Sequence, residues 1–165
     1  MRCILILCLV FGLCRGEESV PNRREYKDPG ALFYHARILG TYPLIVNGEV
    51  GISYNLSSKN PSNNIEAFTL NGPTLIGEFG INGYGAGVGY TFGMFSMVGG
   101  LNANLSANYR KVFNDNFDYY NNTDYLGATL GISFSILYGR IGIFEGKNGD
   151  GNGDIVGSYA MGVGW

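Results

Sequence analysis

Residues 44–56 read LIVNGEVGISYNL, and their polarity repeats every two positions. Leu44, Val46, Gly48, Val50, Ile52, Tyr54 and Leu56 fall on one face. Ile45, Asn47, Glu49, Gly51, Ser53 and Asn55 fall on the other. Successive side chains of a β-strand point to opposite sides, so the stretch reads as a strand with one apolar face. A soluble sheet would carry one such strand as readily as a membrane sheet.

The same period returns along the chain. In 84–94, Tyr84, Ala86, Val88, Tyr90, Phe92 and Met94 oppose Gly85, Gly87, Gly89, Thr91 and Gly93. In 96–110, Met97, Leu101, Ala103, Leu105, Ala107 and Tyr109 oppose Asn102, Asn104, Ser106, Asn108 and Arg110. In 124–136, Leu126, Ala128, Leu130, Ile132, Phe134 and Ile136 oppose Gly127, Thr129, Gly131, Ser133 and Ser135. Several of these apolar faces run about ten residues. Strands of roughly 5–6 residues suffice for a soluble sandwich, whereas a tilted transmembrane strand needs roughly 9–11. Unpaired backbone groups in hydrocarbon cost several kcal/mol each, so such a sheet has to close on itself. The pattern therefore predicts an all-β fold, an eight-stranded antiparallel transmembrane β-barrel. The last residues alternate Tyr159, Met161, Val163 and Trp165. An aromatic end of this kind resembles the signal by which the outer-membrane assembly machinery engages its clients.

The N-terminus fits export. Arg2 precedes an uncharged, mostly apolar stretch from Cys3 to Leu13, too short for a membrane-spanning helix, which needs roughly 20 residues. Cys14 and Gly16 are small residues at the −3 and −1 positions for cleavage before Glu17. A lipoprotein would want a small residue before Cys8 or Cys14, and Leu7 and Leu13 stand there instead. We read residues 1–16 as a signal peptide, 17–30 as a polar periplasmic or interfacial lead-in, and 31–165 as the barrel, in the outer membrane of a Gram-negative bacterium. All three cysteines lie in the leader, so the mature chain carries no disulfide or thiol chemistry. Cleavage removes Arg2 and Arg15 and no acid, so the formal charge moves from −2 to −4. Nucleic-acid binding favours a clustered basic face, and none is expected here.

The eight strands are placed at 31–41, 44–56, 65–71, 77–91, 96–110, 124–136, 137–145 and 155–165. Gly72 and Pro73 break the stretch from 65 to 82. With both termini periplasmic, the connections 111–123 and 146–154 face outside, and the tight ones at 92–95 and 136–138 face the periplasm. An eight-stranded barrel is too narrow for a porin channel, and its interior holds side chains or one small ligand.

The chemistry available is sparse. His35, in LFYHARIL, is the one histidine, with Phe33, Arg37 and Leu39 on its face. A lone histidine in a barrel is commonly a structural lumen residue. Glu49, Arg110 and Arg140 also fall on inward faces, where charges usually pair across the lumen. The loop KNGDGNGD (147–154) resembles half of a calcium loop, but the twelfth position counted from Asn148 is Tyr159 where an EF-hand needs glutamate. It reads as an outer hairpin loop. No metal and no cofactor are expected.

The stretch EYKDPGALFYHARI (25–38) resembles the start of the lipid A palmitoyltransferase (PagP) family: a tyrosine, a proline at the first strand, then an aromatic-His-x-Arg segment. Looser similarity continues in NGEVGIS (47–53), Ala67–Phe68, GYG (83–85) and the Gly/Asn-rich loop before the last strand. The resemblance implies a catalytic His35 near the outer surface, supported by Arg37. It also implies an acyl pocket whose depth Gly85 helps to set. By the alternation, Ile45, Gly85, Tyr125, Phe144 and Val156 face inward near the outer end, whereas Ser53, Asn55, Ser133 and Ser135 face inward near the periplasm. An apolar outer half with glycine gaps suits one acyl chain; plain packing accounts for the same pattern. The family also places an Asp-Ser pair after its Ala-Phe, where this chain has about Leu70 and Asn71, and its first outer loop is nearly deleted at Gly40–Pro43.

Two functional expectations follow, with membrane lipids (phospholipid and lipid A) as partners and a monomer as the state. One is a lipid A acyltransferase-like barrel that binds an acyl chain in its outer half and transfers it from phospholipid to lipid A. The other is a non-catalytic small barrel with a structural or surface-interaction role. A lipid-modifying hydrolase is a third reading, though no serine sits in a recognisable setting.

Overall fold

The computed structural model describes residues 32–42, 45–57, 67–96, 99–113 and 122–164. They form β1 Leu32–Thr41, β2 Ile45–Tyr54, β3 Ala67–Gly80, β4 Gly83–Ser96, β5 Gly99–Val112, β6 Thr123–Phe134, β7 Leu137–Asn148 and β8 Ile155–Gly164. Each strand pairs antiparallel with the next, and β8 returns to β1, closing the barrel. Both the all-β class and the count of eight agree with the alternation. The expected leader 1–16, lead-in 17–30 and terminal Trp165 lie outside the described residues, as does the side chain of Ile45.

The strand boundaries need correction in the middle of the chain. Gly72 and Pro73 do not break a strand. β3 runs through them and pairs with β4 at every position from Ala67↔Ser96 to Gly80↔Gly83. The tight turn falls at Ile81–Asn82, and residues 92–95 belong to β4. Proline is tolerated because the other neighbour is irregular there. The β2–β3 register ends at Ser53↔Thr74. Beyond it, Leu56 N donates to Asn71 O at 2.8 Å. Asn55 turns into the lumen, and its Oδ1 accepts from Ser57 N at 3.1 Å and from Asn71 N at 3.0 Å. The missing amide of Pro73 thus falls one residue past the end of the β2–β3 register. Gly72 is required beside it, since a β-carbon would overlap the Tyr54 carbonyl.

One end of the barrel carries the connections after β1, β3, β5 and β7, and we call it the loop end. The other carries the start of β1, the end of β8 and the two-residue turn Ser135–Ile136, and we call it the terminal end. Ser135 takes φ 54° to make that turn, and Gly149 and Gly153 take φ 86° in the β7–β8 loop.

Polarity is distributed inside out. Leu75, Val88, Leu105, Leu130, Ile141, Ile143 and Met161 point away from the barrel and are exposed. Glu49, Glu78, Arg110 and Arg140 point inward and are at most 3% exposed. Apart from Leu75 and Glu78, which the expected break at Gly72–Pro73 left unplaced, the alternation gave both sets, because the pleat allows only two directions.

Candidate functional site

The middle of the lumen holds a chain of alternating charges: Arg37, Glu49, Arg140, Glu78, Arg110. Arg37 Nη1 donates to Glu49 Oε1 at 2.5 Å. Arg140 Nη1 donates to Glu49 Oε2 at 2.7 Å and also to Glu78 Oε1. Arg110 Nε donates to Glu78 Oε2 at 3.1 Å. Five strands supply these residues, so the chain ties together walls far apart in sequence. The terminal cations are sheathed by rings: Arg37 lies over Tyr138 at 4.0 Å and Arg110 over Phe144 at 4.3 Å. Arg110 Nη1 also donates to Ser158 Oγ at 2.6 Å. Each buried ion costs several kcal/mol in desolvation, and the alternating contacts offset that cost.

Beside this chain lies a ladder of short polar side chains. Ser53 Oγ and Thr74 Oγ1 are 2.7 Å apart, as are Thr74 Oγ1 and Thr91 Oγ1, and Asn104 Nδ2 donates to Thr91 Oγ1 at 2.7 Å. Asn108 Nδ2 reaches Ser106 Oγ and Thr129 Oγ1, each at 2.9 Å. Hydroxyls and amides from five strands, β2 to β6, thus bond to one another within the lumen.

His35 sits toward the terminal end. Its Nε2 lies 3.3 Å from Glu49 Oε1, and that nitrogen makes no hydrogen bond. The imidazole rests directly on Gly51 of β2, leaving no room for a β-carbon there. His35 and Arg37 border a cleft of about 50 Å³, lined also by Phe33, Tyr34, Ser53, Leu70, Thr91, Asn102, Asn104, Ser133, Ser135 and Gly164. Among the described residues no carboxylate lines it. Leu70 turns into the cleft, while Asn71 turns outward and accepts from the Tyr90 hydroxyl at 2.6 Å.

The other anticipated site residues gather elsewhere. Tyr125, Phe144 and Val156 pack with Val112 in an apolar cluster near the loop end. Gly85 faces the lumen next to Arg110 and Glu78, where a β-carbon would crowd the Tyr109 carbonyl and the Arg110 stem. The ion chain lies between this cluster and the cleft, so His35 and Arg37 are grouped together and Tyr125, Phe144 and Val156 are grouped apart. The expected KNGDGNGD loop makes a turn at 149–154, with Gly151 N donating to Thr123 Oγ1 at 3.1 Å. Among the described residues no group of three metal-ligating side chains occurs.

Sequence reasoning missed Glu78. Breaking β3 at Gly72–Pro73 detached Glu78 from the strand whose alternation carries Leu70, Thr74 and Ile76 inward. Read through the proline, the same period puts Glu78 in the lumen. No family model, curated protein or solved structure matches this chain.

Proposed function

We propose that this chain is an outer-membrane β-barrel of a Gram-negative bacterium with a filled, non-conducting lumen and a structural or surface-interaction role in the envelope. The observation that carries this reading is the inside-out polarity: buried Glu49, Glu78, Arg110 and Arg140 against a wholly apolar middle exterior. Soluble monomers rarely expose contiguous apolar patches beyond a few hundred Å². Strands of 10 to 14 residues and full closure suit a bilayer. The exterior turns polar toward the loop end, where Lys111 pairs with Asp124 at 2.9 Å and Lys147 with Glu145 at 2.6 Å. The connections 113–122 and 149–154 also emerge at that end and are the parts offered to partners, while the connection 55–66 emerges at the other end. Fractionation of expressing cells with heat-modifiability on gels and planar-bilayer recording tests the reading. Recovery in the outer membrane as a compact species without porin-sized steps is expected. A soluble barrel or a stable large conductance would remove it.

The acyltransferase reading stays attached to one observation, that His35 borders a lumen cleft. Mass spectrometry of lipid A from cells with and without the gene, alongside a His35→Ala strain, decides it. A palmitate-sized gain that needs both would replace the structural role by acyl transfer. Unchanged lipid A from a folded barrel would leave the structural role standing.

A further inference from the structure

We infer that the cleft at the terminal end is a site for an anionic oxyacid group, a carboxylate or phosphate, carried by a single-chain amphiphile. The argument starts from charge. Among the described lumen residues three arginines face two glutamates, so one positive charge is left over whatever the state of His35. The surplus belongs to an end of the alternating chain. At the Arg110 end the guanidinium is bonded to both Glu78 oxygens and to Ser158, and covered by Phe144. At the Arg37 end the guanidinium touches a single carboxylate oxygen, Glu49 Oε1, which also lies against His35. Arg37 and His35 both border the cleft.

The remaining lining suits an anion. Ser133, Ser135 and Asn102 add hydroxyl and amide groups, and among the described residues the acid beside the two basic side chains, Glu49, does not border the cleft. Charge-assisted hydrogen bonds to carboxylate or phosphate are about twice as strong as neutral ones. The space of about 50 Å³ is enough for one such group, since a cavity holds a water from roughly 10–15 Å³ on the same measure.

The seam beside the cleft provides a route for the chain of the ligand to the exterior. Among the described residues the β1–β8 register runs from Arg37↔Gly164 to Thr41↔Ala160. Among the described residues the segment Leu32–Ala36 pairs with β2 alone. Tyr34 points outward and is 62% exposed, yet it borders the lumen cleft together with Gly164 of β8. The cleft thus reaches the apolar exterior at this seam, where Leu32, Tyr34 and Val163 offer a surface for a tail.

The test uses full-length mature protein refolded into phosphatidylcholine nanodiscs, with heat-modifiability reporting insertion separately from binding. Three probes are titrated: carboxyl-¹³C palmitate, hexadecanol and inorganic phosphate. Saturable palmitate binding at one per barrel, weakened about tenfold by His35→Gln and by Ser133→Leu, is expected. Ser133→Leu fills the cleft without touching the ion chain, so it stands if the histidine variant misfolds. Saturation by phosphate without palmitate would assign the site to a soluble oxyanion and overturn the amphiphile. Saturation by neither, or hexadecanol binding as well as palmitate, would overturn the site altogether.

Discussion

Arg140 of β7 holds both buried carboxylates of the lumen, reaching Glu49 of β2 at 2.7 Å and Glu78 of β3 with the same Nη1. Without it two acids would face each other with only Arg37 and Arg110 at their far sides. Truncating one partner of a buried ion pair typically costs about 3–5 kcal/mol, because the other charge is left unpaired. Arg140→Met is therefore expected to lower the urea midpoint in micelles, read as the folded band on unheated gels. An Arg140→Met midpoint equal to wild type would show that the chain of charges contributes nothing to stability.

Gly51 and His35 form a close pair across β1 and β2, with the imidazole lying on the glycine. Gly51→Ala forces the ring or the strand to shift, at a cost of about 1–3 kcal/mol typical of overpacking. His35→Ala removes the obstacle, so the double variant should be more stable than Gly51→Ala alone. Additive losses in the double-mutant cycle would mean that the contact is not the cause.

Leu105 and Leu130 pair at mid-height on the outer face of β5 and β6, both exposed. If that face meets lipid, Leu105→Arg should cost about 2–4 kcal/mol of folding free energy in liposomes, as arginine does near a bilayer midplane. At Lys111, near the loop end, exchange to arginine should be neutral. Equal tolerance at both positions would place the exterior in water instead.

Asn55 satisfies two backbone amides, those of Ser57 and Asn71, just past the end of the β2–β3 register beside Pro73 of β3. Asn55→Ala leaves both without that acceptor, and buried unsatisfied donors cost about 1–3 kcal/mol each. Faster amide exchange at Asn71, measured by solution NMR in micelles, is the expected local signature. Protection unchanged at that amide would mean that another acceptor takes over.

The period of two in LIVNGEVGISYNL and its repeats was enough to give strands, their faces and a closed eight-membered sheet. A strand has only two sides, and each residue's polarity chooses one. The inward placement of Glu49, Tyr125, Arg110, Phe144, Arg140 and Val156 followed from parity alone. Parity says nothing about which inward residues meet. Glu49 and Arg140 lie 91 positions apart, and their contact depends on closure and on the stagger between strands. The same stagger groups His35 with Ser133 at the terminal end and separates both from Tyr125 and Phe144. Local rules also misread Pro73, because whether its missing amide matters depends on the neighbouring strand. Sequence fixes the direction of each side chain through the pleat, and only the closed sheet decides its company, because register is a property of pairs of strands.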